Sequence, residues 1–272
     1  MTLSDTVIGI GCVSRDSVQA TNTDVVFLSN SGVRSVLRTI QEKSAPFRDL
    51  SKNVRNDLSS LLAGENLDLI KAIYSEVNAF YLLTLPSRKT VYVFDTRGVL
   101  EDGSSRVTTW DSIEPTALLA RRNGDLLIGK NGYIGKYGTY LDYASTYRMI
   151  YFTNHADLGD QSVTSILKRI SVIVIGGSNQ YVTVKWGFDF SENYLSQNEQ
   201  IPLQSVSEYG VAEYGANGVP VAEYANGIAL QTLRAQATGA GKIVQTGYEA
   251  DIDSNELSIQ KIEIQAKNGK IS

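Results

Sequence analysis

The sequence is poor in the residues from which reactive centres are most often built. It holds one cysteine, Cys12, and one histidine, His155. A disulfide within the chain is therefore excluded, and so is a zinc site of Cys/His type drawn from a single copy. Any Ser-His-Asp arrangement must run through His155. Charge of either sign is modest: charged residues are 20% of the 272, and the net charge is −4. The acidic balance argues against a protein that coats nucleic acid or an anionic membrane surface. Long hydrophobic runs are missing as well. The most apolar stretch, Ile170 to Ile175, is far below the roughly 18 residues that span a bilayer. Met1 to Asp5 is polar and lacks the basic and apolar regions of a secretory signal, so the chain is expected to be made as a soluble cytoplasmic product.

What is present points to β structure. Hydrophobic residues are 42%, enough for a real core, and 23 glycines and 15 tyrosines stand against five prolines. Val25 to Leu28, a turn at Asn30-Ser31-Gly32 and Val33 to Leu37 read as a hairpin. Ala79 to Leu85 and Thr90 to Asp95 flank a second turn. Thr116 to Ala120 and Leu126 to Gly129 form a third pair, and Lys130-Asn131-Gly132 turns into Tyr133 to Tyr137. Paired strands recurring at roughly 40–50 residues suit serial propeller blades, with a β-sandwich as the competing architecture.

Ser44 to Tyr74 breaks this pattern. Ser51 can cap a helix over Lys52 to Leu62 with Val54, Leu58, Leu61 and Leu62 on one face, and Asn66 a short turn through Leu67 to Ile73. A helical insertion at about 47–73 is expected, either a packed crossover connection or a contact arm for a neighbouring subunit. A boundary is expected near Leu141 to Thr146, giving a propeller-like meander over 1–145 and an antiparallel, sandwich-like β domain over 146–272. In the second domain Tyr147 to Thr153, Lys168 to Ile175 and Tyr181 to Phe190 read as strands, with a turn at Gly176 to Asn179. Leu257, Ile259, Ile262 and Ile264 suggest a closing strand with a register shift near Gln260–Lys261. The stretch at about 196–228, with its V-x-E-Y copies ending at Tyr209, Tyr214 and Tyr224, reads as a variable loop or ribbon.

Chemistry-bearing patterns are weak. No Gly-Lys pair has P-loop spacing, Gly239-Ala240-Gly241 lacks a third fingerprint glycine, and Gly176-Gly177-Ser178-Asn179-Gln180 fails as a nucleophile elbow. Asp251, Asp253 and Glu256 have oxygen-ligand character but not the spacing of a calcium loop. His155 reads as a loop histidine. Trp110 and Trp186 read as core residues. The tyrosines at 133, 137, 140, 143 and 147 suit a subunit interface or a sugar-binding surface. An enzyme reading, a polysaccharide hydrolase or lyase, needs two facing carboxylates such as Asp102 and Asp125.

Several stretches resemble one family when taken together. They are Val25 to Ser35, Ile40 to Ser44, Asp49 to Arg55, Phe80 to Leu83, Val91 to Asp95, Ile134 to Tyr137 and Val184 to Asp189. In pattern and order, over roughly residues 8–190, they resemble the tail nozzle (tail tubular protein B) family of short-tailed bacteriophages. The resemblance implies a structural virion protein with a β-propeller and sandwich-like domains. It implies a homohexameric ring below the portal and adaptor, with genome DNA passing through the lumen without sequence-specific binding. It implies contacts with tail fibres or other tail proteins, and no cofactor, active site or stable membrane insertion. On this reading the chain resides in the virion tail, and Arg34, Arg38, Lys43, Arg48, Arg55, Tyr133 and Tyr137 are the candidate intersubunit residues. The family's members are longer, and a closed propeller needs about four blades or more, against about three hairpin units here. A divided chain is the favoured explanation, with residues 1–20 completing a sheet with another polypeptide; a minimal member or a different blade count are the others. The alternative function is a receptor- or glycan-binding tail protein.

Overall fold

The computed structural model describes residues 10–42, 49–159, 163–202 and 230–269. The protein is mainly β, with several antiparallel sheets, none of them closed among the described residues. The chain divides into two compact units, 1–139 and 140–272.

The first unit is a succession of three meanders. β1 (Gln19–Ala20), β2 (Val25–Ser29) and β3 (Gly32–Ser35) form the first sheet. Cys12 bridges Ser29, and the Val13 N–H donates to Leu28 O. The described part of the segment 1–20 thus lies against β2 of the same chain; residues 1–9 fall outside the described residues. After β3 the chain does not continue as strand to Leu37. It turns into α1 (Val36–Glu42), because Ser35 caps it: Ser35 Oγ accepts the Arg38 N–H, and Asp24 Oδ1 accepts that of Leu37.

The expected insertion at 47–73 is helical only in its first half. A 3-10 turn, Lys52–Val54, leads into α2 (Arg55–Leu62), and Leu58 is buried with Val54, Leu61 and Leu62 packed around it. The second half, read as a turn through Ile73, is instead β4 (Lys71–Ser75). The connection is stitched to its surroundings. Leu50 N–H donates to Val33 O, Ser51 Oγ accepts the Val33 N–H, and Ser105 N–H donates to Leu50 O. Gly32, at φ 134°, leaves room for this contact: a Cβ there would lie 2.2 Å from Ser51 Oγ.

β4, β5 (Phe80–Leu85), β6 (Thr90–Val99) and β7 (Ser105–Trp110) form the second sheet in sequence order. β8 (Ala117–Ala120), β9 (Leu126–Lys130) and β10 (Tyr133–Lys136) form the third. Every residue of β5 is buried. Its alternate side chains explain why. Tyr81, Leu83 and Leu85 join Val26, Leu28 and Val33 of the first sheet in one core; Phe80 and Leu82 join Leu126 and Ile128 of the third in another. The second sheet is therefore covered on both faces.

The second unit contains β11 (Tyr147–Phe152), β12 (Ala156–Asp157), β13 (Ser165–Gly176), β14 (Tyr181–Phe188), β15 (Leu195–Gln200), β16 (Leu230–Ala235), β17 (Ala240–Gly241), β18 (Ile243–Ile252) and β19 (Leu257–Asn268). One sheet runs β11-β18-β14-β15 with β12 beside β18; the other joins β16, β13, β17 and β19. One face of each contributes to a single core, including Ile170, Val172 and Val174 of β13 and Val182, Val184 and Trp186 of β14. The closing strand shifts register at Gln260: Ile173 pairs with Lys261 and Val174 with Ile259. The start of the expected loop at 196–228 is strand β15 up to Gln200, while the V-x-E-Y copies lie outside the described residues.

Candidate subunit interface

The seven candidate interface residues fall into different environments. Arg34 is taken up inside the first unit. It is 6% exposed, its Nε lies 3.2 Å from Asp49 Oδ1, and Nε and Nη2 donate to Ser31 Oγ. Asp49, 4% exposed, also accepts from Arg55 Nη2 at 2.7 Å. Two of the cations therefore share one buried carboxylate, and Arg34 is withdrawn from any surface role. A buried carboxylate needs such partners, because its desolvation is costly. Sequence shows the charge of Arg34 but not Asp49, which lies 15 residues further on and folds back through the β3–α2 connection.

Arg38 is half-buried on α1 and donates from Nη1 to Gly103 O at 2.5 Å. Gly103 belongs to the β6–β7 hairpin loop, where Asp102 Oδ1 accepts from Ser104 N–H and Oγ. Lys52 pairs with the same carboxylate at 3.1 Å. These bonds from Ser104, then Lys52, hold the Asp102 carboxyl down at about 2. Lys43 and Arg48 lie outside the described residues.

Tyr137 is a packing residue. Its ring stacks on Trp110 at 5.6 Å and meets Phe80 edge-on at 5.5 Å, and burial raises its hydroxyl pKa. Tyr133 is different: it is 69% exposed, and its neighbour Ile134, which sequence reasoning did not single out, is 80% exposed. Both lie on β10, the end strand of its sheet. The hairpin β9–β10 pairs Tyr133 with Lys130 and Gly135 with Ile128, and the Tyr137 N–H continues the ladder to Leu126 O. Residues of that parity bond to β9, so the backbone groups of Ile134 and Lys136 point to the open side. An apolar side chain on an end strand with outward amides is a template for another strand.

Asp125 is held by Lys136 and Asn123, which lower its pKa; a glycosidase acid needs the opposite shift. The same holds for Asp102. Asp251 sits on β18 opposite Arg148. Among the described residues no group of three or more His, Cys, Asp or Glu is placed to hold a metal ion, and no helix is long and apolar enough to cross a membrane.

No protein-family model matches the chain, and no curated protein matches it in sequence.

Proposed function

We propose that the protein is a structural component of a bacteriophage tail, a subunit of a nozzle-like homohexameric ring through which genome DNA passes. The observation that carries the reading is the arrangement of the first unit. Three consecutive antiparallel meanders stack face to face, with the middle one buried on both sides. This is how blades follow one another in a propeller. Three such sheets leave the series open, with the edge of β10 and its exposed Ile134 available to another chain. The two-sheet core of the second unit suits the sandwich-like domains that accompany the propeller in the resembled family. The net charge of −4 suits a channel that lets DNA through without gripping its phosphates. Portal, adaptor and other tail proteins are the expected neighbours, and a separate chain supplying further blades is consistent with the open series.

Negative-stain electron microscopy of the purified chain, alone and with the product encoded upstream, tests this. Six-fold rings are expected in at least one condition. A uniform monomer or trimer in both would overturn the reading.

A further inference from the structure

The sequence contains five Asn-Gly pairs, and three of them, Asn123-Gly124, Asn131-Gly132 and Asn268-Gly269, lie within the described residues. Such a pair can modify itself, because the glycine nitrogen is a nucleophile one residue from the asparagine carboxamide and no Cβ shields it. Two groups decide whether the reaction runs in a folded chain. The carboxamide must be able to swing towards that nitrogen, and the glycine N–H must not be tied to an acceptor. The three pairs differ in both respects.

Asn123-Gly124 and Asn131-Gly132 form a controlled comparison within one sheet. The first turns β8 into β9, and the second turns β9 into β10. Their glycines have nearly the same backbone, at φ 89° and 86°. Asn123 is held at both ends of its carboxamide: Nδ2 donates to Asp125 Oδ2 at 2.9 Å, and Oδ1 accepts the Asp125 N–H at 3.2 Å. The Gly124 N–H donates to Arg121 O at 3.0 Å, and Val77 packs over this glycine, 2.7 Å from where a Cβ would stand. At the end of β19, Asn268 Oδ1 accepts from Ser165 Oγ at 3.4 Å, and the Gly269 N–H donates to Thr164 O at 3.0 Å.

Asn131-Gly132 has none of these restraints. Both residues are exposed. Neither the Asn131 carboxamide nor the Gly132 N–H has a hydrogen-bond partner among the described residues. Nothing lies within 4 Å of a Cβ built on Gly132. The turn is held from its ends, where Tyr133 pairs with Lys130.

We propose that Asn131 is a site of spontaneous deamidation, with water as the only co-reactant. The Gly132 nitrogen attacks Asn131 Cγ, and the new C–N bond closes a succinimide. The Cγ–Nδ2 bond breaks, and the leaving ammonia takes up the proton lost from the Gly132 N–H. Water then opens the ring at one of its two carbonyls. Opening at Cγ leaves aspartate in the normal backbone; opening at the main-chain carbonyl leaves isoaspartate, with the chain running through Cβ. Either product puts a negative charge beside Lys130. The isoaspartyl form also adds a backbone atom to a two-residue turn, which disturbs the pairing of Tyr133 with Lys130. β10 has no other neighbour in its sheet, so it should loosen. The modification does not depend on the ring reading.

The test is a peptide map of the full chain aged at mildly alkaline pH. Cleavage after Arg122 and Lys130 places Asn123 and Asn131 in separate peptides, and each is weighed for conversion of amide to acid. In the folded chain the product at Asn131 should form at least about tenfold faster than at Asn123, whose hydrogen bonds must open first. In the chain unfolded in guanidinium the two rates should converge, which separates the effect of the fold from that of the shared dipeptide. Asp125→Ala, which removes the acceptor of Asn123 Nδ2, should raise the Asn123 rate in the folded chain. Enzymatic methylation of isoaspartate should label the wild-type 131–136 peptide and not that of Asn131→Ala. Comparable rates at the two sites in the folded chain would overturn the proposal. So would the absence of product at Asn131 under conditions in which the unfolded chain forms it.

Discussion

Asp49 is the residue on which the first unit's polar interior depends. Its carboxylate is nearly inaccessible and holds Arg34 and Arg55, while Ser51 two residues on binds the β3 backbone. Asp49→Ala leaves the buried Arg34 guanidinium without its counter-charge, so it should destabilise the first unit by about 3 kcal/mol, measured by denaturant unfolding. Arg55→Ala, at a side chain one-third exposed, should cost well under half of that. Glu249 makes a pH prediction. Burial alone would raise its pKa, but hydrogen bonds from Lys185 and Arg148 carry it below the usual value. A folded pKa below the unfolded one stabilises the protein above the unfolded value, and the contribution disappears as pH falls through the folded one. The stability difference between wild type and Glu249→Gln should therefore be full at neutral pH and shrink below about pH 4.5. A difference that grows on acidification would contradict this. At this scale the sequence was least informative: Arg34 and Arg38 look alike as surface cations, and only the partner each meets after folding separates them.

At the scale of elements, alternation and turn chemistry were readable. The hairpins around Pro86–Arg88 and Asn131-Gly132 form where their turn residues stand, and the broken alternation at Gln260 is a bulge in β19. The misreadings have physical causes. Val36 and Leu37 read as a continuation of the strand that starts at Val33, yet Ser35 and Asp24 cap a helix there. Lys71 to Ile73 looked like the tail of a turn because β4 is paid for by its partner β5 and not by its own pattern. β18 went unread because its outward residues, Glu249 and Asp251, resemble a charged turn when their cross-strand cations are not visible. β10 supplies the prediction at this scale. Burying the exposed Ile134 side chain against another strand is worth about 1.5–3 kcal/mol, and a lysine there would repel the approach. Ile134→Lys should leave the unfolding free energy within about 0.5 kcal/mol of wild type, as surface changes do, while weakening self-association measured by sedimentation. An unchanged association constant would remove β10 from the interface.

For the whole molecule, the chain divides into two compact units at Thr139–Tyr140, where the change from short hairpins to long strands suggested a boundary near Leu141 to Thr146. The described sheets of the first unit end at β10, and on the proposed reading the strands that complete the series belong to another copy or another chain. The tyrosine-rich stretch illustrates this. Tyr137 is absorbed into the Phe80–Trp110 cluster, whereas Tyr133 stays at the surface beside Ile134. The central claim is that the protein acts as a ring subunit. Its most direct test is the solution mass of the purified chain by light scattering, alone and mixed with the upstream product. The account predicts a single species containing six copies of this chain in at least one of the two conditions. A mass of one or three copies in both would contradict it.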